Sequence, residues 1–305
     1  MRIFCTGASG YIGGSIALAL VAAGHDVSGL VRSDENAARV RSLGIAPVHG
    51  TLDDVDVLRA AAARADAIVH AANADHEPSA RVMLAAIEGT GRAYIHTSGS
   101  SVVGTQSAGQ RVDAFFDEDT PMIPSAGRAA RVALNDDILS FKAKGIRAIV
   151  ICPSLIYGIS RGPTEHSMQV PWLIRLAKKA GVAKHYGPGE NIWSNVHIDD
   201  LVDLYLLALA SAPSGAFYFA ENGENSMKQV CEGINRKLGI ASGTLSMSFE
   251  EASREWGEGV AQNTMGSNSR VRAVRARREL GWRPNRPSLI EEIENGCYAA
   301  CLAAR

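Results

Sequence analysis

The residues best placed to do chemistry stand close to the start of the chain. Gly7, Ser9, Gly10, Tyr11, Ile12 and Gly13 belong to one run, TGASGYIGG at 6–14, which follows a short apolar stretch. Glycines there let the chain turn sharply and bring backbone N–H groups against a pyrophosphate. The helix that follows turns its positive dipole end to the same anion. The spacing is G-x-x-G-x-x-G, and its weight comes from context, a strand before it and a helix after. A nicotinamide dinucleotide is the expected ligand. The residue ending the second strand normally meets the adenosine ribose, where an acid would accept hydrogen bonds from both hydroxyls of NAD. Here that residue is Arg32, followed by Ser33. The forked donors of an arginine suit a 2′-phosphate, so NADP is preferred as cofactor, with NAD as the alternative. The competing expectation for Arg32 is a solvent-facing side chain or a pair with Asp34 or Glu35.

The elements that must position these residues alternate. Short, mostly apolar stretches at 2–5, 26–31, 46–49, 67–70, 93–97 and 148–151 read as strands buried on both faces. Helical stretches rich in alanine and leucine lie between them at 15–23, 36–43, 55–63, 80–87 and 130–143. Gly24 and Gly44 follow the first two, where a left-handed residue closes a helix. The alternation predicts an α/β fold, a doubly wound parallel sheet with right-handed crossovers. After residue 152 proline, glycine and aromatic residues cluster, which predicts loops with one helix at 172–179. A helix at 199–210 and a strand at 216–219 return to the sheet. Capping boxes at Ser226/Gln229 and Ser288/Glu291 open two later helices. The expected division is 1–152 with 194–220 as the dinucleotide-binding domain, and 153–193 with 221–305 as a smaller substrate lobe.

Bulk properties narrow the partners. A formal charge of -1 offers no long-range attraction to nucleic acid or anionic lipid, and a small-molecule substrate is expected instead. The most apolar stretch, 201–212, is short for a membrane span and carries Asp203. The first residues are expected to enter a strand directly, with no signal segment before it. Five cysteines without ligand-like spacing suggest reduced thiols, a cytoplasmic location and no metal centre. Cys297 and Cys301, four apart, would share one helical face as small buried residues.

The order of later motifs adds a resemblance. After TGASGYIGG come LDD at 52–54, HAAN at 70–73, IHTSGSSVVG at 95–104, CPSLIYG at 152–158, NVHIDDL at 195–201 and ELGWRP at 279–284. This series is similar to the extended short-chain dehydrogenase/reductases of the NAD-dependent epimerase/dehydratase kind, over nearly the whole chain. The resemblance implies a Rossmann-type sheet in which Leu52 and Asp53 approach the adenine and Ala71 and Ala72 border the adenosine. It also implies Thr97 and Ser98 under the nicotinamide ribose and Pro153 near the nicotinamide. His197 and Asp199 would tie a returning helix to the sheet. A homodimer is common among such proteins.

One departure bears on catalysis. The family uses a Tyr-x-x-x-Lys pair, in which the lysine cation favours the phenolate. No tyrosine occurs between Tyr94 and Tyr157. Gly127 or Arg128 stands at the tyrosine's place and Arg131 or Val132 at the lysine's, so the chain resembles an atypical member. Gly99 aligns with the usual serine, leaving Ser98, Ser100 or Ser101 to donate to a substrate oxygen. Ser100, Tyr157 and Arg128 are the catalytic candidates; Ser101, His166 and Trp193 are the substrate-binding ones. The arginines at 270, 272, 275, 277 and 278 are expected to spread around a solvated helix. The expected activity is NADP(H)-dependent oxidoreduction of a small carbonyl, alcohol or sugar-like compound. The alternatives are a non-catalytic NADP(H)-binding regulator that senses redox state, and an epimerase or dehydratase.

Overall fold

Stretches of valine, isoleucine and alanine become strands because a sheet covered on both faces buries every side chain along them. The computed structural model describes residues 1–299, so Cys301 lies outside the described residues. In chain order the strands are β1 (Arg2–Thr6), β2 (Asp26–Val31), β3 (Ala46–His49), β4 (Ala67–His70) and β5 (Ala93–Thr97). Then follow β6 (Thr105–Gln106), β7 (Arg147–Pro153), β8 (Leu155–Tyr157) and β9 (Lys184–Tyr186). Next come β10 (Ile192–His197), β11 (Ala216–Ala220) and β12 (Glu224–Ser226). The central sheet has seven parallel strands in the order β11-β7-β5-β4-β1-β2-β3. Its order reverses between β1 and β4, and their carboxyl ends open the crevice where such sheets take ligands.

The helices are α1 (Tyr11–Ala22), α2 (Asp34–Ser42), α3 (Val55–Arg64), α4 (Glu77–Ala86) and α5 (Ala129–Ser140). They are followed by α6 (Gln169–Ala180), α7 (Ile198–Ser211) and α8 (Met227–Leu238). The doubly wound parallel sheet expected from the alternation is present. Helices α1, α4 and α6 begin three or four residues earlier than expected. α1 starts at Tyr11 rather than 15, because Gly13 and Gly14 sit inside its first turn despite their poor helix propensity. α4 starts at Glu77 rather than 80, with Pro78 in its first turn and the His76 ring accepting from Ser79 N. Gly24 and Gly44 both adopt φ +81 after their helices.

A second hydrophobic core lies beyond the sheet, built from Leu155, Tyr157, Val170, Leu173, Trp193, Val230, Ile234, Leu289 and Ile293 among others. Its frame is a three-stranded sheet, β12-β10-β8, with α6 and α8 packed together. The loops expected over 153–193 thus contain β8, β9 and the first two residues of β10. Three-residue strands flanked by proline and glycine are too short for a periodicity to announce them. Residues Val271 to Trp282 pack into the first core, not the second. Ser226 and Gln229 form the full reciprocal capping box, and Ser288 Oγ accepts from Glu291 N.

The basic run is corrected. Arg270 is buried and pairs with Glu224, as does Arg272, while Arg275 meets Asp119 and Arg277 meets Glu221. These arginines neutralise carboxylates at the sheet edge instead of forming a solvated face.

Candidate active site

The turn after β1 is held by backbone geometry that excludes a side chain. Gly7 adopts φ +73, and a Cβ there would lie 2.8 Å from the Ala71 carbonyl oxygen. On Gly13 a Cβ would stand 2.4 Å from the Gly7 oxygen. Gly10 N donates to Gly7 O at 2.8 Å, and Gly10 caps α1. Thr6 Oγ1 accepts from Ala71 N and Ala72 N at 3.2 and 3.3 Å, fastening the end of β4 to the end of β1.

These ends open into a cleft of about 800 Å³. Gly7, Ser9, Gly10, Tyr11, Ile12 and Gly13 line it, with Arg32, Leu52, Asp53, Ala71 and Ala72 on the same walls and His166 opposite. Arg32 is exposed, and among the described residues its guanidinium has no ion-pair partner; Asp34 lies 3.9 Å from His49 instead. Sequence reasoning missed Asn73, His76, Ser154, Thr164, Ser167 and Gln169, which also line the cleft. The signal for His76 was its place before Glu77-Pro78, a helix start; its Nε2 lies 3.2 Å from Asp53 Oδ1.

The opposite wall is a strap, residues 158–168, drawn down onto α1. Tyr11 Oη donates to the Gly158 oxygen at 2.8 Å, and Ser15 and Ser160 share a hydroxyl bond of 2.6 Å. Thr164 Oγ1 donates to the Ser9 oxygen. Gly14 permits the approach, since a Cβ there would meet Pro163 Cδ at 2.7 Å.

Three expected cofactor contacts do not reach this cleft. Thr97 is buried and shares a 2.7 Å hydrogen bond with Tyr205 Oη. Ser98 is buried and its Oγ accepts from Asn135 Nδ2 at 3.0 Å. Pro153 is buried in β7, paired with Ala220; its neighbour Ser154 lines the cleft instead.

A profile of the NAD dependent epimerase/dehydratase family matches residues 3–218. The chain belongs to this family. It is 33% identical to an uncharacterized protein of Schizosaccharomyces pombe, over 98% of this chain and 100% of that protein. It is 32% identical to the oxidase ucsJ of Acremonium sp, over 96% and 95%. Among solved structures, the UDP-glucose 4-epimerase of Thermotoga maritima with UDP-glucose superposes with a TM-score of 0.76 at 18% identity, covering 96% of each chain. That likeness is one of fold, the extended short-chain dehydrogenase/reductase type.

In this epimerase/dehydratase family member the catalytic candidates part company. Tyr157 is fully buried in the second core, its Oη donates to the Pro287 oxygen at 2.8 Å, and burial pushes its pKa up. It stands edge-on to His197, whose Nδ1 accepts from Asp199 N and so caps α7. Ser100 is buried against Ser269, Oγ to Oγ at 2.8 Å. Trp193 is buried, with Nε1 donating to the Ser267 oxygen at 2.7 Å. None of these three lines the cleft, and each has a polar atom held by an internal partner.

Ser101, Arg128 and Arg131 gather at the end of β5. Arg131 Nη1 donates to Ser101 Oγ at 3.2 Å, and its Nε and Nη2 grip the two oxygens of Asp75. Val132, by contrast, is buried in the first core. Of the two side chains, Arg131 is the one that reaches Ser101, in the segment after β5. Beneath them His96 is buried, and desolvation lowers its pKa to about 4. Among the described residues no three His, Cys, Asp or Glu side chains gather as a metal site, and no helix is long and apolar enough to cross a membrane.

Proposed function

We propose that this chain is an NADP(H)-dependent oxidoreductase acting on a small carbonyl, alcohol or sugar-like compound. The observation that carries the choice of coenzyme is Arg32, an exposed cation without an ion-pair partner among the described residues, on the cleft wall at the end of β2. A 2′-phosphate would give that guanidinium a partner, whereas an unmodified ribose would not. The cradle fits a dinucleotide: glycines that leave no room for a Cβ face a cleft of about 800 Å³. Amides of 7–13 and the start of α1 would hold the pyrophosphate. Leu52, Asp53, Ala71 and Ala72 would border the adenosine. The bound coenzyme supplies hydride chemistry at a carbonyl carbon, whose oxygen takes up a proton.

Gly127 and Arg131 stand in place of the family's tyrosine and lysine in this reading. Among the described residues no phenol lining the cleft has a free hydroxyl, since Tyr11 Oη donates to the Gly158 oxygen. His166 is the imidazole on the strap side of the cleft, and it, or water it orients, serves as the proton source. Similarity to an oxidase supports oxidoreduction. The free cysteines Cys5, Cys152, Cys231 and Cys297 suit a cytoplasmic protein.

Calorimetric titration with NADP⁺, NADPH, NAD⁺ and NADH, followed by coenzyme oxidation across a panel of ketones and aldehydes, tests the proposal. Tighter binding of the phosphorylated pair with turnover is expected; no affinity for any of the four would overturn it. The internal engagement of Tyr157 and Ser100 favours a second reading, a redox sensor without turnover. Tight, unequal binding of NADP⁺ and NADPH with no turnover on the panel would select it.

A further inference from the structure

Charges at the start of α5 do not balance. Arg131 and Arg128 stand one turn apart, with Asp75 as the carboxylate between the loop after β4 and the helix. Arg131 takes both oxygens of Asp75, through Nε at 2.6 Å and through Nη2. Arg128 is half-buried, and among the described residues its guanidinium makes no salt bridge or hydrogen bond. Burial first, and Arg131 second, disfavour its charge, while Asp75 offsets them in part. His96 and Cys152, which also face this cluster, are neutral near pH 7. A half-buried cation in excess is costly unless an anion joins it.

The surroundings have room for one. A Cβ on Gly127 would meet nothing within 4 Å. The first turn of α5 carries no acidic residue and no side-chain cap, so its dipole adds to the positive field. The cluster also adjoins the cleft, because Asp75 lies between Asn73 and His76, both of them wall residues. It stands at the carboxyl end of β5, on the ligand-binding edge of the sheet.

Resting on the oxidoreductase reading of this site, we propose that Arg128 receives a carboxylate carried by the substrate. The substrate class is then an oxo acid or its hydroxy acid, rather than a neutral ketone or sugar. A guanidinium fork suits a carboxylate because two parallel N–H donors meet two oxygens. Arg131, already held by Asp75 and Ser101, would set the orientation of its neighbour's field without needing to release its own partner.

Acetoacetate and methyl acetoacetate differ by one charge at nearly constant shape. Their binding is to be measured by ligand-observed NMR, on coenzyme-free protein and on protein loaded with NADP⁺. The acid should bind about tenfold more tightly than the ester. In Arg128→Gln the acid should fall to the level of the ester, with ester binding unchanged; Arg128→Lys should keep part of the preference. Equal binding of acid and ester, or an acid preference that survives Arg128→Gln, overturns the proposal. So does Arg128-dependent binding of inorganic phosphate without binding of acetoacetate. Coenzyme titration of the same samples separates the two claims: an acid preference can fail while NADP(H) binding stands, and the reverse.

Discussion

Thr164 Oγ1 donates to the Ser9 carbonyl oxygen at 2.8 Å, joining the strap of one lobe to the phosphate turn of the other. This contact and the Ser15–Ser160 bond fasten the strap that forms one wall of the cleft. Thr164→Val removes the donor and keeps the shape. Release of NADPH, followed by stopped-flow fluorescence, should quicken several-fold in this variant, with thermal stability lowered by about 1 kcal/mol or less. An unchanged release rate would mean that the strap does not retain coenzyme.

Gly13 offers the severest test of the turn. A Cβ at that position would stand 2.4 Å from the Gly7 oxygen, a distance that requires the backbone to move. Gly13→Ala should abolish measurable coenzyme binding and lower stability by roughly 1–3 kcal/mol, read by calorimetry and by chemical denaturation. Wild-type affinity in this variant would show that the pyrophosphate lies elsewhere.

Arg32 governs coenzyme choice if its guanidinium meets the 2′-phosphate. Arg32→Ala should weaken NADP⁺ about 10- to 100-fold, as expected for loss of a charge-assisted pair, and leave NAD⁺ nearly unaffected. Parallel titrations with the two coenzymes decide the point.

Tyr157 should behave as a structural tyrosine. Tyr157→Phe removes one buried hydrogen bond to Pro287 and leaves that oxygen unpaired, a loss of about 1–2 kcal/mol in stability. Coenzyme affinity and the pH profile of any turnover should not move. A lost limb in that profile would restore Tyr157 as a proton donor.

Acid should destabilise the protein through its buried imidazoles. The folded pKa of His96 is about 4, below the value of 6.5 for a free side chain, and that of His70 is lowered in the same sense. As pH falls from 6.5 toward 4 the unfolded chain gains the proton first, so stability present above 6.5 is lost in that window. For His96 the loss approaches roughly 3 kcal/mol. Melting temperatures at pH 4.5 and 7.5 should differ less in His96→Phe than in the wild type, with His70, His185 and His197, each lowered by burial, contributing to the remaining slope.

Much of this was legible in the residues. Strands such as Ala67–His70 and Ala93–Thr97 are mostly apolar and buried along their whole length because both faces of the sheet are covered, and their limits match the expectation. The glycine turn was legible because its spacing answers to backbone geometry alone. The failures share a cause. Tyr157, Trp193 and Ser100 carry the right atoms near the right motifs, but the partners that consume those atoms are Pro287, Ser267 and Ser269, far along the chain. The bond from Thr164 to Ser9 likewise spans 155 residues. No local pattern encodes such pairings; they arise when the second lobe settles on the first. The charge excess at Arg128 was hidden for the same reason, since it depends on which arginine Asp75 selects.

The second core is assembled from three separated stretches, 155–193, 227–265 and 289–298, with β11 and most of α7 returning to the first core after the first stretch and Val271, Ala276 and Trp282 after the second. Neither lobe can therefore be excised as an autonomously folding fragment. A truncation after β11 would leave Leu155, Val170, Leu173 and Trp193 bare of Val230, Ile234 and Ile293, and such a product should aggregate. The two lobes should melt in one cooperative transition, and tolerated breaks in the chain belong at exposed loops within a lobe instead of at a border between them.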